Sequence, residues 1–187
     1  MTTRRILSLL AVIFWLTGCA AVVVGGAGGA ALVGADRRTV GTVAEDQGIE
    51  LKANSRIGDK YPDAHINVTS YNRMVLLTGE APSNAVRADI EKITRAVENV
   101  RGIYNEIAVV GNSSLSSRTN DAYLTGKVKA RFVDAQKFNA VHVKVVTESN
   151  VVYLLGMVNR KEADDATEIA RTTSSVHKVV RLFEFLD

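Results

Sequence analysis

Apolar and polar positions alternate with a period of two at two places in the chain. Val143 and Val145 alternate with His142 and Lys144, the pattern of a half-buried strand. Thr147-Glu148-Ser149-Asn150 then supplies turn residues, and residues 151–155 form a second run rich in β-branched side chains, stopped by Gly156. Residues 66–81 repeat this pattern 77 positions earlier. Ile66 falls on Val143, Val68 on Val145, Val75 on Val152, Leu77 on Leu154 and Gly79 on Gly156. The chain is therefore predicted to hold two copies of one unit, each built around a hairpin.

Helical periodicity flanks each hairpin. In the first copy Asp46 is placed to cap a helix whose inner face holds Ile49, Ala53 and Ile57. Pro82-Ser83 opens a second helix with Val86, Ile90, Ile93 and Val97 as its stripe, and residues 100–110 close the unit as a strand. In the second copy Asp121 is the expected cap, and Leu124, Val128 and Phe132 the stripe. A helix over residues 162–174 turns Ala163, Ala166, Ile169 and Ala170 inward, and residues 176–186 form the last strand. Repeats of this length are too long for solenoid units. The fold class is α+β: two tandem domains, each helix-strand-strand-helix-strand, with two helices packed on a three-stranded sheet. The first spans 42–110 and the second 119–187, joined by a serine-rich linker at 111–118. Helices on one side leave the other side of each sheet bare. If Val152 and Leu154 face the helices, Val151, Tyr153 and Leu155 face away, with Val146 beside them. An apolar patch of that kind marks an interface, and either the other copy or a partner would fit it.

The N-terminal segment reads as an address. Arg4 and Arg5 precede an apolar run at residues 6–16, too short to span a bilayer but suited to a secretory signal. Leu16-Thr17-Gly18-Cys19 resembles the lipobox of bacterial lipoproteins. That resemblance implies a signal peptide at 1–18, with covalent diacylglycerol and an N-acyl chain on Cys19. Ala20, in place of the aspartate that would retain such a protein in the inner membrane, implies the outer membrane. Residues 19–41 then form the lipidated tether, rich in Gly, Ala and Val. Gly25, Gly26, Gly28 and Gly29 lower its helix propensity, and Asp36-Arg37-Arg38-Thr39 marks a return to water.

Composition removes several classes. A net charge of +3, from 23 basic and 20 acidic residues in 187, does not suit a general nucleic-acid binder. A single cysteine leaves no internal disulfide and no thiol zinc site. His65, His142 and His177 show no metal-ligand spacing, and the first two occupy matching positions in the repeats, which points to fold. No catalytic and no metal residues are assigned. Gly79 and Gly156 are read as structural, ending strands where the backbone leaves no room for a Cβ.

Each copy resembles a BON domain. The hairpin ends as Val75-Leu76-Leu77-Thr78-Gly79 and as Val152-Tyr153-Leu154-Leu155-Gly156. The closing motif appears as Val100-Arg101-Gly102-Ile103-Tyr104-Asn105, and again at residues 176–181, where Arg181 replaces the asparagine and is expected to weaken the turn there. Signal, tether and doubled domain together resemble outer-membrane lipoproteins with two BON domains. The resemblance implies a lipid-anchored protein on the periplasmic face that binds phospholipid and supports envelope integrity. It implies no catalysis and no cofactor beyond the acyl chains.

Charge separates the two copies. Residues 42–110 carry eight basic and ten acidic side chains, and residues 112–187 carry eleven and nine. The excess gathers on the first helix of the second copy. Tyr123, Leu124, Lys127, Lys129 and Arg131, with Lys137 just beyond, are the predicted contacts to anionic phospholipid. The alternative is an accessory that docks on outer-membrane assembly or cell-wall remodelling machinery.

Overall fold

The computed structural model describes residues 36–186. The signal peptide, Cys19 and most of the tether lie outside the described residues. The first domain comprises α1 (Val40–Lys60), β1 (His65–Tyr71), β2 (Met74–Ala81), α2 (Asn84–Arg95), β3 (Gly102–Asn105) and β4 (Ala108–Val109). The second comprises α3 (Leu115–Ala135), a single 3-10 turn at Ala140–His142, β5 (Val143–Glu148), β6 (Val151–Val158), α4 (Arg160–Arg171) and β7 (Lys178–Phe185).

Each hairpin strand pair is antiparallel, and the crossover helix returns the chain parallel to the central strand. The sheet orders are β1-β2-β3 and β5-β6-β7, with β4 extending the line of β3 along β2. Two-residue turns close the hairpins, with positive φ at Asn72 and Arg73 in one and at Ser149 and Asn150 in the other. Such turns match the twist of the strands they join. Gly79 has φ +108°, and a Cβ there would lie 1.9 Å from the carbonyl oxygen of His65. At Gly156 it would lie 2.4 Å from that of His142. Neither glycine ends its strand: Gly79 lies inside β2 and Gly156 inside β6, where β1 or β5 begins alongside and the backbones crowd.

Two separate cores form as the apolar periodicity implies. Ile49, Ala53, Ile57, Val75, Leu77 and Ile90 anchor the first; Val128, Phe132, Val152, Leu154, Ala166 and Ile169 anchor the second. The opposite faces of the two sheets meet in a third core, where Tyr71 and Leu76 pack with Tyr153 and Leu155, edged by Val146, Val151 and Leu182. The bare apolar face predicted on the second sheet is therefore covered by the first domain. The layers run helices, sheet, sheet, helices. Burying a side chain such as Leu76 or Leu155 there is worth about 1.5–3 kcal/mol.

Several local expectations are corrected. Asp46 and Asp121 do not cap helices. The caps are Thr39 and Ser114, whose hydroxyls accept from Thr42 N (3.1 Å) and Ser117 N (3.2 Å). Val40 and Gly41 thus belong to α1 and not to the tether, and Leu115 to Arg118 belong to α3 and not to the linker. Polar and small residues hid these first turns, because they bury little. Asp46 and Asp121 instead lie inside the helices and cap the hairpin turns. Asp121 accepts from Ser149 N and Asn150 N, both at 2.9 Å. Asp46 accepts from Asn72 N (2.9 Å), Arg73 N (2.7 Å), Ser70 Oγ (2.6 Å) and Arg38 Nη1 (2.9 Å). The turn amides cannot be satisfied within the hairpin, so a buried carboxylate from the neighbouring helix serves them.

Arg181 does not weaken a turn. Asn105 Nδ2 donates to Arg87 O and Glu91 Oε2, its Oδ1 accepts from Ile107 N, and the strand breaks between β3 and β4. At the matching position Arg181 pairs with Asp164 on α4 at 3.2 Å, and β7 runs unbroken for eight residues.

Candidate functional site

Helix α3 carries all the predicted lipid contacts but Lys137, and the structure separates them by role. Leu124 is 1% exposed and belongs to the core, so it is withdrawn as a lipid contact: the stripe that folds the helix uses it. Arg131 is half-buried. Its Nη1 donates to Ile169 O (2.8 Å) and Thr173 Oγ1 (2.7 Å), and its Nη2 to Thr172 Oγ1 (3.2 Å). Arg56 makes the matching bond in the first domain, donating to Ala96 O at 3.0 Å. Each arginine thus ties the first helix to the C-terminal end of the second, where carbonyls lack partners. Lys127 donates to Ser174 Oγ at the same end. Lys137 pairs with Asp165 at 3.3 Å.

Tyr123 and Lys129 stand clear of these contacts. Tyr123 is 68% exposed, and Lys129 is also exposed. They do not stand alone. Ala122, Gly126, Ala130 and Val133 are exposed on the same helix, at spacings of three and four residues, and Leu115 is exposed at its start. This outward apolar row lies away from the buried stripe of Leu124, Val128 and Phe132. The sequence shows it as a second helical period offset from the first, a signal that the search for a single core face passes over.

A second polar constellation holds the domains together. Residues 36–38 do not return to water, and only Thr39 of this stretch is exposed. Arg37 makes a bidentate pair with Glu162 (2.7 and 2.8 Å) and donates to Met157 O at 2.7 Å. Arg38 pairs with Asp36 and Asp46 and lies over the Tyr71 ring at 4.0 Å. Tyr71 OH reaches the carbonyl of His142, and Lys144 pairs with Glu50 at 2.8 Å. The Arg37 fork, with Asn159 N, holds the Glu162 carboxyl below the ordinary carboxylate value against the effect of burial. Burial alone would raise Asp36, but the hydrogen bonds and charge of Arg38 bring it down. No helix among the described residues is long and apolar enough to cross a membrane.

The αββαβ units, the glycine near the end of each hairpin and the back-to-back packing define a tandem module, and the comparisons with known proteins agree. The model of the BON domain matches residues 45–111 and 120–187. The chain belongs to the BON domain family. It is 36% identical over 188 residues to the outer membrane lipoprotein DolP of Haemophilus influenzae, covering 98% of this chain and 97% of that one. It is 30% identical over 154 residues to a 21 kDa hemolysin of Actinobacillus pleuropneumoniae (81% and 79%), and 27% over 145 residues to the osmotically-inducible protein Y of Escherichia coli (75% and 72%). The full-length likeness makes it an outer-membrane lipoprotein of the DolP type.

Proposed function

We propose that the chain is a non-catalytic, lipid-anchored protein of the periplasmic face whose second domain rests on anionic phospholipid through the outward row of α3, in support of outer-membrane integrity. The observation that carries this reading is the exposed row itself: Tyr123 among Ala122, Gly126, Ala130 and Val133, with Lys129 at its side. A tyrosine places an apolar ring and a polar tip at headgroup level, and small residues let a helix lie close to a surface. A lysine near an anionic surface adds about 1 kcal/mol. Lys127, Lys137 and Arg131 contribute long-range charge while their heads hold the fold. The face that would otherwise have favoured a docked partner is occupied by the other domain. Acyl chains on Cys19 would supply most of the attachment, so the helix needs only weak affinity at high local concentration.

The test is flotation of the protein bearing Cys19→Ser, which removes the acyl anchor, with vesicles containing phosphatidylglycerol or phosphatidylcholine alone. Binding is expected to the anionic vesicles only and to fall with salt, since exposed charges are screened over about 10 Å at 0.1 M. Equal binding to both vesicles, or none to either, overturns the reading.

A further inference from the structure

The facing sheets enclose a polar niche at one end of the interdomain core. His65 begins β1 and lies opposite Glu80 at the end of β2, and Glu148 ends β5 of the other domain. Glu80 is 3% exposed and Glu148 7%. One donor atom from each of the three residues lies within 4.8 Å of the other two. A cleft of about 400 Å³, lined by His65, Asn67, Arg118 and Glu148, opens onto the niche and gives small solutes access.

We propose that His65, Glu80 and Glu148 form a divalent-cation site between the two domains, suited to an imidazole- and carboxylate-binding ion such as Zn²⁺. The spacing of the donors suits such an ion. Ligands of a tetrahedral Zn²⁺ at about 2.0–2.2 Å stand about 3.4 Å apart, so the observed spacing needs only a small closure of side chains. The carboxylates are also held in orientation. His65 Nδ1 lies 2.8 Å from Glu80 Oε2, and Asn67 Nδ2 donates to Glu148 Oε2 at 2.8 Å. Ser113 adds its N–H and hydroxyl to Glu80 Oε2. The hydrogen bonds these carboxylates accept within the described residues all fall on Oε2, which leaves Oε1 of each to coordinate; His65 Nε2 lies 3.3 Å from Asn67 Nδ2, and the imidazole exchanges one of its two contacts for the ion.

Charge balance points the same way. Two carboxylates between packed sheets are costly unless a cation answers them; His65 pairs with Glu80 at 2.8 Å, and Glu148 has no ion-pair partner among the described residues. Arg118 lines the cleft but directs its Nε and Nη2 to Ser113. The repeat supplies a contrast. His142 matches His65 and also lies beside a carboxylate, Glu162, but that carboxylate is answered by the bidentate Arg37. No arginine forks onto Glu80 or Glu148 among the described residues. Sequence spacing could not reveal this site, because its donors come from three strands of two domains.

Isothermal titration of the tag-free, EDTA-treated full chain in detergent with ZnCl₂ tests the site, with MgCl₂ as the comparison. One equivalent of Zn²⁺ should bind and raise the melting temperature by at least about 3 °C at saturation. Glu148→Gln, which keeps an oxygen for Asn67, should weaken binding at least tenfold, as should His65→Ala, while His142→Ala should bind as the parent does. Absence of saturable one-to-one binding, unchanged affinity in Glu148→Gln, or an equal loss in His142→Ala overturns the proposal. Should His65→Ala fail to fold, Glu148→Gln alone decides.

Discussion

Helices α1 and α3 are the same element used twice, and they differ most where they touch nothing. Their inner faces match position for position: Ile49 with Leu124, Ala53 with Val128, Ile57 with Phe132, and the buried Asp46 with Asp121. Their outer faces diverge. Gly48 stands where α3 has Tyr123, Asn54 where it has Lys129, Ser55 where it has Ala130, and Gly58 where it has Val133. Only Leu51, 74% exposed, gives α1 an apolar outer residue in that stretch. Packing holds the inner face to one solution in both copies. The outer face is free to specialise, and in the second copy it has become apolar and basic together.

The largest effect should come from breaking what the helices share. Asp46→Ala leaves two turn amides, a serine hydroxyl and the Nη1 of Arg38 without their acceptor, and should cost about 3–5 kcal/mol in urea denaturation. Asp121→Ala orphans two turn amides only, and should cost about 2–3 kcal/mol. Equal costs would show that Arg38 adds nothing to the first cap. Breaking what differs comes next. Tyr123→Ala with Lys129→Glu should reduce binding to anionic vesicles at least tenfold, about 1.4 kcal/mol, and leave the melting curve nearly unchanged because neither side chain is buried.

A smaller effect concerns the seam. Arg37→Ala should lower stability by about 1–2 kcal/mol at neutral pH. Glu162 is held below its unfolded value, near 4.3, so its contribution is present above that pH and is lost as pH falls through the lower folded value. The difference between parent and Arg37→Ala should therefore shrink below about pH 4. A gap that persists into acid would assign the loss to the Met157 carbonyl contact instead. The smallest effect is a gain. Gly48→Tyr with Asn54→Lys copies the outer face of α3 onto α1, and a Cβ at Gly48 meets nothing within 4 Å. A severalfold increase in vesicle binding is expected, and no increase would show that Ala130 and Val133 matter more than the ring.

Most of the architecture was legible because burial writes itself as period. The hairpins, the inner faces of all four helices and the order of elements along the chain follow from apolar spacing, and Gly79 and Gly156 stand out because they recur. The first turns of α1 and α3 were not legible, since residues such as Gly41 and Ser116 bury nothing that would mark them. The task of Asp46 and Asp121 was hidden too. An aspartate ahead of an apolar stripe resembles a cap, and its true partners lie 26 to 29 positions away. At the candidate site, the exposure of Tyr123 and Lys129 was legible from their offset to the buried stripe, but Arg131 could not be told from an exposed arginine until Ile169 and Thr173 appeared beside it. Arg37 looked solvated because charge alone gives no sign of a partner more than a hundred residues on, and Arg38 because its near partners, Asp36 and Asp46, read as solvent-facing and as a helix cap.

The back-to-back sheets have a geometric consequence for a particle at a flat boundary. With both sheets turned inward, the helices of the two domains face opposite half-spaces, and a plane can be tangent to only one of them. A bilayer that meets α3 therefore leaves α1 and α2 directed away from it. The molecule has a lower side and an upper side, and a tandem repeat of one fold becomes a spacer that can hold two different environments apart.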